Sequence, residues 1–303
     1  MPPLHPRGPM SAGRAGLGLP GLVLGAVLIG FAAIVVRLVE VGPTATAFWR
    51  LAFALPVLWA ARRALPTAAA PNPADPAAVR WMLLAGVAFA LDLALWHRAI
   101  QLTSVANATL MSNLSPVFIA LTLHFGFRDR HPPRFWLGLV VALAGAAALV
   151  ADSFTISRAT AVGDLMAIAT AVFYAGYQLL VSRSRQAGQT AVDVMWWAAL
   201  GGLPVLLAIT LASGEALLPT TLRDLALLVA LALVVHLGGQ GLIAWAQAHV
   251  TASFASVTLL VQPVAAAVFA WWLLDERFGA VQAAGGALIL AGIVTCRLAR
   301  PPG

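Results

Sequence analysis

The chain has 303 residues, of which 61% are hydrophobic and only 10% are charged, and its mean hydropathy is +0.91. Soluble chains carry about 25% charged residues, so this composition excludes an ordinary soluble protein and predicts one with many membrane spans. All 18 basic residues are arginine, and the single cysteine, Cys296, excludes an intrachain disulfide and a cysteine metal cluster.

Ten apolar runs follow one another along the chain. The first 16 residues are rich in Pro and Gly and predict a flexible cytoplasmic segment. Each later run has about 17–25 residues, enough for a helix to cross about 30 Å of hydrocarbon, and lipid offers no partner to backbone groups outside helices. We therefore expect an all-α integral membrane protein with ten transmembrane helices. The runs lie at residues 17–39, 44–61, 79–97, 103–126, 135–151, 162–181, 191–212, 222–246, 252–274 and 279–298.

The arginines lie mostly between the apolar runs and predict the orientation. If the N-terminus is cytoplasmic, the cytoplasmic segments hold twelve arginines and the opposite side holds five, while Arg50 lies within a span. Cytoplasmic loops carry the excess of basic residues in membrane proteins. The pattern predicts a multi-pass protein of the cytoplasmic (inner) membrane with both termini in the cytoplasm.

The second half of the chain repeats the first at an offset of 147 residues, most clearly where 99–121 matches 246–268. A repeat of five spans crosses the membrane an odd number of times, so the second copy enters from the other side. This predicts two inverted five-helix repeats, residues 17–151 and 162–298. The fifth and tenth spans carry equivalent glycines, which allow close packing either within one chain or between chains. The equivalent pairs are Pro116 with Pro263, Gly138 with Gly285, and Gly145 with Gly292.

Several of these motifs resemble the EamA-type transporters of the drug/metabolite transporter superfamily. They are the Pro-centred helices SNLSPVF and LLVQPVA, the acid-Arg pairs at 129–130 and 276–277, and the Gly-rich last helix of each half. One departure is RDRH in the first half, where the family usually has Gly-Glu-Arg. The resemblance implies ten helices around a central cavity, alternating access, and transport of amino acids, nucleobases, sugars or other metabolites, mostly outward.

Two charges of opposite sign lie within neighbouring spans. Arg50 and Asp92 are both on the order of 10 Å below the outer surface at 1.5 Å per residue. Each alone would cost about 2.5–3.5 kcal/mol in hydrocarbon, so we expect an ion pair. Its role is either a structural clamp or contact with substrate or protons. Trp96 shares a helix face with Asp92 and is expected either on the cavity wall or in the interfacial aromatic belt. His97 projects about 140° away and is expected at the outer interface, with a proton relay as the alternative.

Other polar groups in the spans complete the expected cavity. Asparagines precede Pro116 in the fourth span, two tyrosines and a glutamine lie within one turn of the sixth, and a polar stripe crosses the HLGGQG segment of the eighth, whose glycines invite close packing or local unwinding. The expected substrate-binding residues are Arg50, Asp92, Trp96, Asn107, Asn113, Tyr174, Tyr177, Gln178, His236 and Gln240.

The chain carries no phosphate-binding loop, H-E-x-x-H motif or nucleophile elbow. We therefore expect a secondary transporter, and an exporter, for a small metabolite such as an amino acid or derivative. Its expected partners are that small molecule, the lipid bilayer and protons, with no nucleic acid, cofactor or metal and with the oligomeric state left open. The alternatives are a lipid-linked or nucleobase substrate, or an integral-membrane enzyme that uses Asp92 and His97.

Overall fold

The computed structural model describes residues 12–64, 75–103, 105–151, 160–274 and 279–299. Three features named above lie outside the described part: residues 1–11 of the N-terminal segment, the acid-Arg pair at 276–277, and the side chain of Asn107. The described secondary structure is helical, which confirms the all-α prediction.

Ten helical spans correspond to the ten apolar runs. Nine of the described helices are long and apolar enough to cross a membrane, and the remaining one is apolar with 17 residues. In chain order, spans 1 to 10 are Leu17–Val36, Pro43–Ala64, Pro76–Leu102, Ala108–Gly126, Pro133–Leu149, Ala161–Gln186, Ala191–Ala212, Leu222–Ala246, Ala252–Leu273 and Ala280–Leu298.

Spans 3, 5, 6, 7 and 10 are continuous α-helices, and the other five are divided. The first helix begins at Ala12, earlier than the predicted start near residue 17. The divided spans consist of Ala12–Gly30 and Ala32–Leu38; Pro43–Ala52 and Ala54–Ala64; Val105–Ser112, Ser115–Leu121 and the π-helical Thr122–Gly126; Leu222–Ala230, the π-helical Leu231–Gln240 and Gly241–Ala246; and Ala252–Thr258 and Val261–Leu274.

Contacts near the span ends define the two faces of the bundle. On the face where span 1 starts, which we call the terminal face, Arg62 pairs with Asp193 at 2.7 Å between Nε and Oδ1. On the opposite face, which we call the far face, the Thr103 hydroxyl donates to the Asp164 carboxylate at 2.7 Å. Span 6 therefore starts at the far face although span 1 starts at the terminal face, and the two repeats are inverted as predicted.

The helix packing follows the same pseudo-symmetry. Spans 5 and 10, which are equivalent in the two repeats, pack against each other. Span 6 packs against spans 3 and 4, and span 1 packs in the equivalent way against spans 8 and 9. The interface between the repeats therefore places spans 1, 3, 4, 6, 8 and 9 around the centre of the bundle.

Glycines hold spans 5 and 10 together. A Cβ added to Gly145 would lie 2.5 Å from the carbonyl oxygen of Gly285, and one added to Gly292 would lie 2.6 Å from the carbonyl oxygen of Gly138. Such close approach of two backbones is what small residues permit in membrane helices. The glycines of the fifth and tenth spans therefore pack within one chain, which settles the question that the sequence left open.

Spans 4 and 9 are interrupted at equivalent places. Turns at residues 113–114 and 259–260 separate the two helical segments of each span, and Pro116 and Pro263 lie in the first turn of the second segments. Proline lacks a backbone N–H and is tolerated in the first turn, where that group has no intrahelical acceptor. The repeated proline therefore marks a helix break in each repeat, next to the centre of the bundle.

Candidate functional site

A cavity of about 200 Å³ lies between the two interrupted spans. Its wall comes from spans 1, 2, 3, 4, 6, 8 and 9 and combines polar and apolar side chains. The lining residues are Ile29, Gly30, Ala32, Arg50, Phe89, Asp92, Leu93, Trp96, Thr109, Ser112, Asn113, Ser115, Pro116, Thr170, Tyr174, Gln240, Ser256, Leu259, Leu260, Gln262, Pro263 and Ala266.

Arg50 and Asp92 both line this cavity, and each side chain is only 7% exposed. The expected ion pair is nevertheless wrong for this structure, because no nitrogen of Arg50 lies within 4.0 Å of the Asp92 carboxylate. The Arg50 guanidinium instead lies over the ring of Phe89, with its carbon 5.4 Å from the ring centroid. Among the described residues, neither charged side chain has a hydrogen-bond partner, so both remain available to a bound molecule.

Four more of the predicted residues lie on the cavity wall. Trp96 is on the same face of span 3 as Asp92, Asn113 lies at the break in span 4, and Gln240 comes from span 8. Tyr174 of span 6 also lines the cavity, and its hydroxyl accepts a hydrogen bond from the Gln178 amide at 3.0 Å. The structure therefore brings six of the predicted residues together from both repeats.

Three predicted residues lie behind the wall instead of on it. Tyr177 stacks on Phe89 with ring centroids 4.6 Å apart, and His236 stacks on Phe89 with centroids 5.9 Å apart. Gln178 is 2% exposed and bonds to Tyr174 and Gln247. These residues fix the position of Phe89 and Tyr174, because aromatic stacking and buried amide bonds restrain the rings that face the cavity.

His97 was expected at the outer interface, and this expectation is wrong. Its side chain is 3% exposed and its ring meets the indole of Trp96, with centroids 5.1 Å apart. The next residue, Arg98, is exposed and its guanidinium donates to Gln101 at 3.0 Å. The membrane–water interface therefore begins at Arg98. His97 packs inside the bundle but does not line the cavity that holds Asp92.

Several cavity residues were not among those predicted. Thr170 lies four residues before Tyr174, so helical spacing alone could have found it. Gln262 is the repeat equivalent of Ser115, and both line the cavity. Ile29 and Ala32 of span 1 gave no signal, because apolar residues in an apolar run carry no pattern; the helix break between Gly30 and Ala32 brings them to the wall.

Contacts close the bundle between the cavity and the terminal face. The Arg185 guanidinium donates to the Ala244 carbonyl at 2.9 Å and joins the ends of spans 6 and 8. The His131 Nε2 and the Ser253 Oγ lie 2.6 Å apart and join the connector before span 5 to span 9. Burial lowers the pKa of His131, although the nearby Asp129 carboxylate acts in the opposite direction. The neutral imidazole is therefore favoured in this contact.

The arrangement provides two separated charges of opposite sign with aromatic and apolar walls. A guanidinium binds carboxylates through charge-assisted hydrogen bonds, and a carboxylate binds an ammonium group in the same way. No group of three or more metal-ligating side chains exists among the described residues. The cavity is chemically suited to bind a small molecule that carries both signs of charge.

Comparison with known proteins identifies the family. The sequence model of the EamA-like transporter family matches residues 16–151 and again residues 161–297. The pseudopaline exporter CntI of Pseudomonas aeruginosa (strain UCBPP-PA14) is 30% identical over 71% of this chain and 74% of its own length. An uncharacterized transporter of Archaeoglobus fulgidus is 28% identical over 87% of this chain and 90% of its own.

A solved crystal structure shares the fold. It superposes with a TM-score of 0.76 at 20% sequence identity and covers 95% of this chain and 98% of that one. The two matches to the family model together span most of the residues and coincide with the inverted repeats. This chain belongs to the EamA-like transporter family and is a multi-pass membrane transporter.

Proposed function

We propose that the protein is a secondary transporter that exports a small zwitterionic metabolite, such as an amino acid or derivative, by alternating access. The observation that carries this proposal is the pair Arg50 and Asp92, which face one cavity without pairing to each other. Arg50 would bind the carboxylate of the substrate, and Asp92 would bind its ammonium group. Trp96, Phe89 and the neighbouring leucines would contact the apolar part.

The size of the cavity supports a small substrate. A cavity of about 150 Å³ holds a benzene molecule, so the volume of about 200 Å³ fits a molecule of amino-acid size. This volume disfavours the alternative of a lipid-linked substrate. The name of the Pseudomonas relative, an exporter, supports outward transport. The position of His97 away from the cavity disfavours the enzymatic alternative, which needs His97 beside Asp92.

The proposal also covers the orientation of the protein in the membrane and the coupling of transport to protons. The excess of arginine at the terminal face supports a cytoplasmic position for that face and for both termini, in the cytoplasmic membrane. Asp92 can bind either the ammonium group of the substrate or a proton, but not both at once. Competition of this kind would couple the exit of substrate to the entry of a proton.

The test is efflux from proteoliposomes that are preloaded with a mixture of amino acids and nucleobases, with and without an imposed proton gradient. We expect the gradient to drive efflux of amino acids by the unmodified protein. Asp92→Asn, which removes the charge and keeps the size, should lose the gradient-driven part. Glu40→Gln is the matched control, because Glu40 is an exposed acid outside the cavity.

Two results would contradict the proposal. Efflux of nucleobases in place of amino acids would refute the zwitterion assignment. Gradient-driven efflux that Asp92→Asn retains in full, at equal yield of folded protein, would refute the role of Asp92.

A further inference from the structure

Polar residues follow one i+4 row of span 6 from the cavity to the terminal face. Thr170, Tyr174, Gln178, Ser182 and Gln186 are spaced by four residues, so each lies next to the one before it, and the row winds about 40° around the helix at each step. At 1.5 Å per residue this stripe is about 24 Å long. A surface helix would turn such a stripe to water, but these side chains are turned into the bundle, and three of the five are 2% exposed. We call it the span 6 stripe.

The two ends of the stripe lie in two different hollows. Thr170 and Tyr174 line the central cavity. Ser182 and Gln186 line a second recess of about 10 Å³ near the terminal face. Leu123 of span 4, Ala252 of span 9, and the connector residues Asp129 and Thr251 also line it. The stripe therefore connects the central cavity to a recess that contains a carboxylate.

Hydrogen bonds close the stripe between these hollows. The Gln186 amide donates to the Ser182 hydroxyl at 3.0 Å, and the Gln178 amide donates to the Tyr174 hydroxyl at 3.0 Å. The amide of Gln247, the residue that follows span 8, donates to the Gln178 side-chain oxygen. This bond joins the middle of the stripe to the end of span 8.

The closed stripe is incompletely satisfied. The side-chain oxygens of Gln186 and Gln247 are buried and have no hydrogen-bond partner among the described residues. Beside Gln186, an apolar cluster packs spans 4, 6 and 9 together; it consists of Ile119, Leu123, Ala175 and Ala252, with Phe118 and Leu179 packed against it. Buried polar atoms without partners cost free energy, and entry of water along the stripe would satisfy both oxygens. The closed arrangement thus carries a cost that opening removes.

We propose that substrate passes between the central cavity and the terminal face along the span 6 stripe, and that the Gln178–Gln247 hydrogen bond is the gate. The inference rests on the proposed transport function, since it describes the passage that an alternating-access transporter opens on its second side. Asp129 in the recess has the charge that attracts the ammonium group of a zwitterion. Opening the gate separates spans 6 and 8, and passage on to the recess separates span 6 from spans 4 and 9 at the apolar cluster.

The test measures the access of water-borne reagent to the stripe. Cysteine is placed at Ser182, on the stripe, or at Ser184, which is also buried but lies on another side of the same helix. Both variants carry Cys296→Ala, which removes the native thiol. Each is labelled in lipid nanodiscs with a membrane-impermeant trimethylammonium methanethiosulfonate, with and without Gln247→Met. Methionine keeps the length of the side chain and removes the amide.

We expect Gln247→Met to raise the labelling rate of Ser182→Cys about fivefold, the factor for loss of one neutral hydrogen bond. The rate for Ser184→Cys should not change. Equal changes at both positions, or no change at Ser182→Cys in protein that elutes as a single folded species, would overturn the gate. The experiment contains no substrate, so a wrong substrate class would leave this result intact, and failure of the gate would leave amino-acid efflux intact.

Discussion

The two repeats share a backbone plan but contribute different chemistry. The offset of 147 residues places Arg50 on Trp197 and Asp92 on Gly239, so both charges of the cavity come from the first repeat. The second repeat contributes Tyr174, Gln240 and Gln262, which are neutral. Symmetry therefore positions the helices and their breaks, whereas the cavity is polarised: both of its charged side chains come from the first repeat, and the second repeat contributes neutral side chains.

The repeats also differ in one equivalent helix. Span 3 is a continuous α-helix, whereas its equivalent, span 8, is π-helical over Leu231–Gln240. Within that segment Gly239 packs against Gly25 of span 1, so that an added Cβ would lie 3.1 Å from the Gly25 carbonyl oxygen. Close packing is thus confirmed for Gly239 alone, because a Cβ added to Gly238 would have its nearest neighbour at 3.4 Å and one added to Gly241 would have none within 4 Å. Short π-helical segments often occur at functional sites, and this one ends at Gln240 on the cavity wall.

The largest expected effect tests the charges that the first repeat contributes to the cavity. Arg50→Gln should lower amino-acid transport about 100-fold, because hydrogen bonds to charged groups contribute about 1.5–3 kcal/mol. The measurement is initial efflux from proteoliposomes at equal amounts of folded protein. The control is Arg98→Gln, an exposed arginine outside the cavity, which should transport normally. An equal loss in both variants would show that Arg50 has no specific role.

The next effect tests the symmetric interface. Gly145→Ala should destabilise the protein by about 1–3 kcal/mol, the cost of overpacking, because the added methyl would lie 2.5 Å from the Gly285 carbonyl oxygen. Gly286→Ala is the control on span 10, since its nearest neighbour would be Val264 at 3.4 Å. Thermal unfolding in detergent measures both. Equal unfolding temperatures would show that the interface tolerates separation and is not the rigid element of the fold.

A smaller effect tests the neutral side chains that the second repeat contributes to the cavity. Gln240→Leu removes an amide from the wall and should weaken transport about fivefold, as expected for one neutral hydrogen bond. The comparison with Arg50→Gln gives the sharpest measure of polarisation between the repeats. If the two variants lose transport equally, the site is not divided into a charged and a neutral half.

The sequence predicts the fold well because its signals are of long range. Three signals depend only on composition and spacing, which a single sequence shows directly. They are the ten apolar runs, the odd number of spans in each repeat, and the offset between Pro116 and Pro263. Arg50 and Asp92 are predictable because charge in an apolar run has to face the interior, and Trp96 is predictable because it lies four residues after Asp92 on the same helix face.

What the sequence does not predict depends on the packing of individual side chains. Nothing in the spacing indicates that Arg50 lies over Phe89 and not on Asp92. Nor does it indicate that His97 packs on Trp96 inside the bundle. A helix break at Phe31 brings residues of span 1 to the cavity wall, and the residues around this break include no polar side chain that would predict it.

The smallest effect concerns the terminal face, where the first repeat contacts the second through His131 and Ser253. Burial lowers the pKa of His131 in the folded protein, so below about pH 6.5 the unfolded chain binds more protons than the folded one. Stability is therefore complete above that pH and falls as the pH decreases toward the lowered pKa. His131→Gln should reduce the difference between unfolding temperatures at pH 7.5 and pH 5.5.

The partner residue separates burial from the contact itself. Ser253→Ala removes the hydroxyl beside the His131 Nε2 but leaves the ring buried, and burial is the main cause of the lowered pKa. The alanine variant should therefore keep the pH dependence that His131→Gln loses. If Ser253→Ala abolishes it as well, the hydrogen bond and not burial controls protonation. The contact between the repeats would then respond directly to pH at the face where the proposed gate opens.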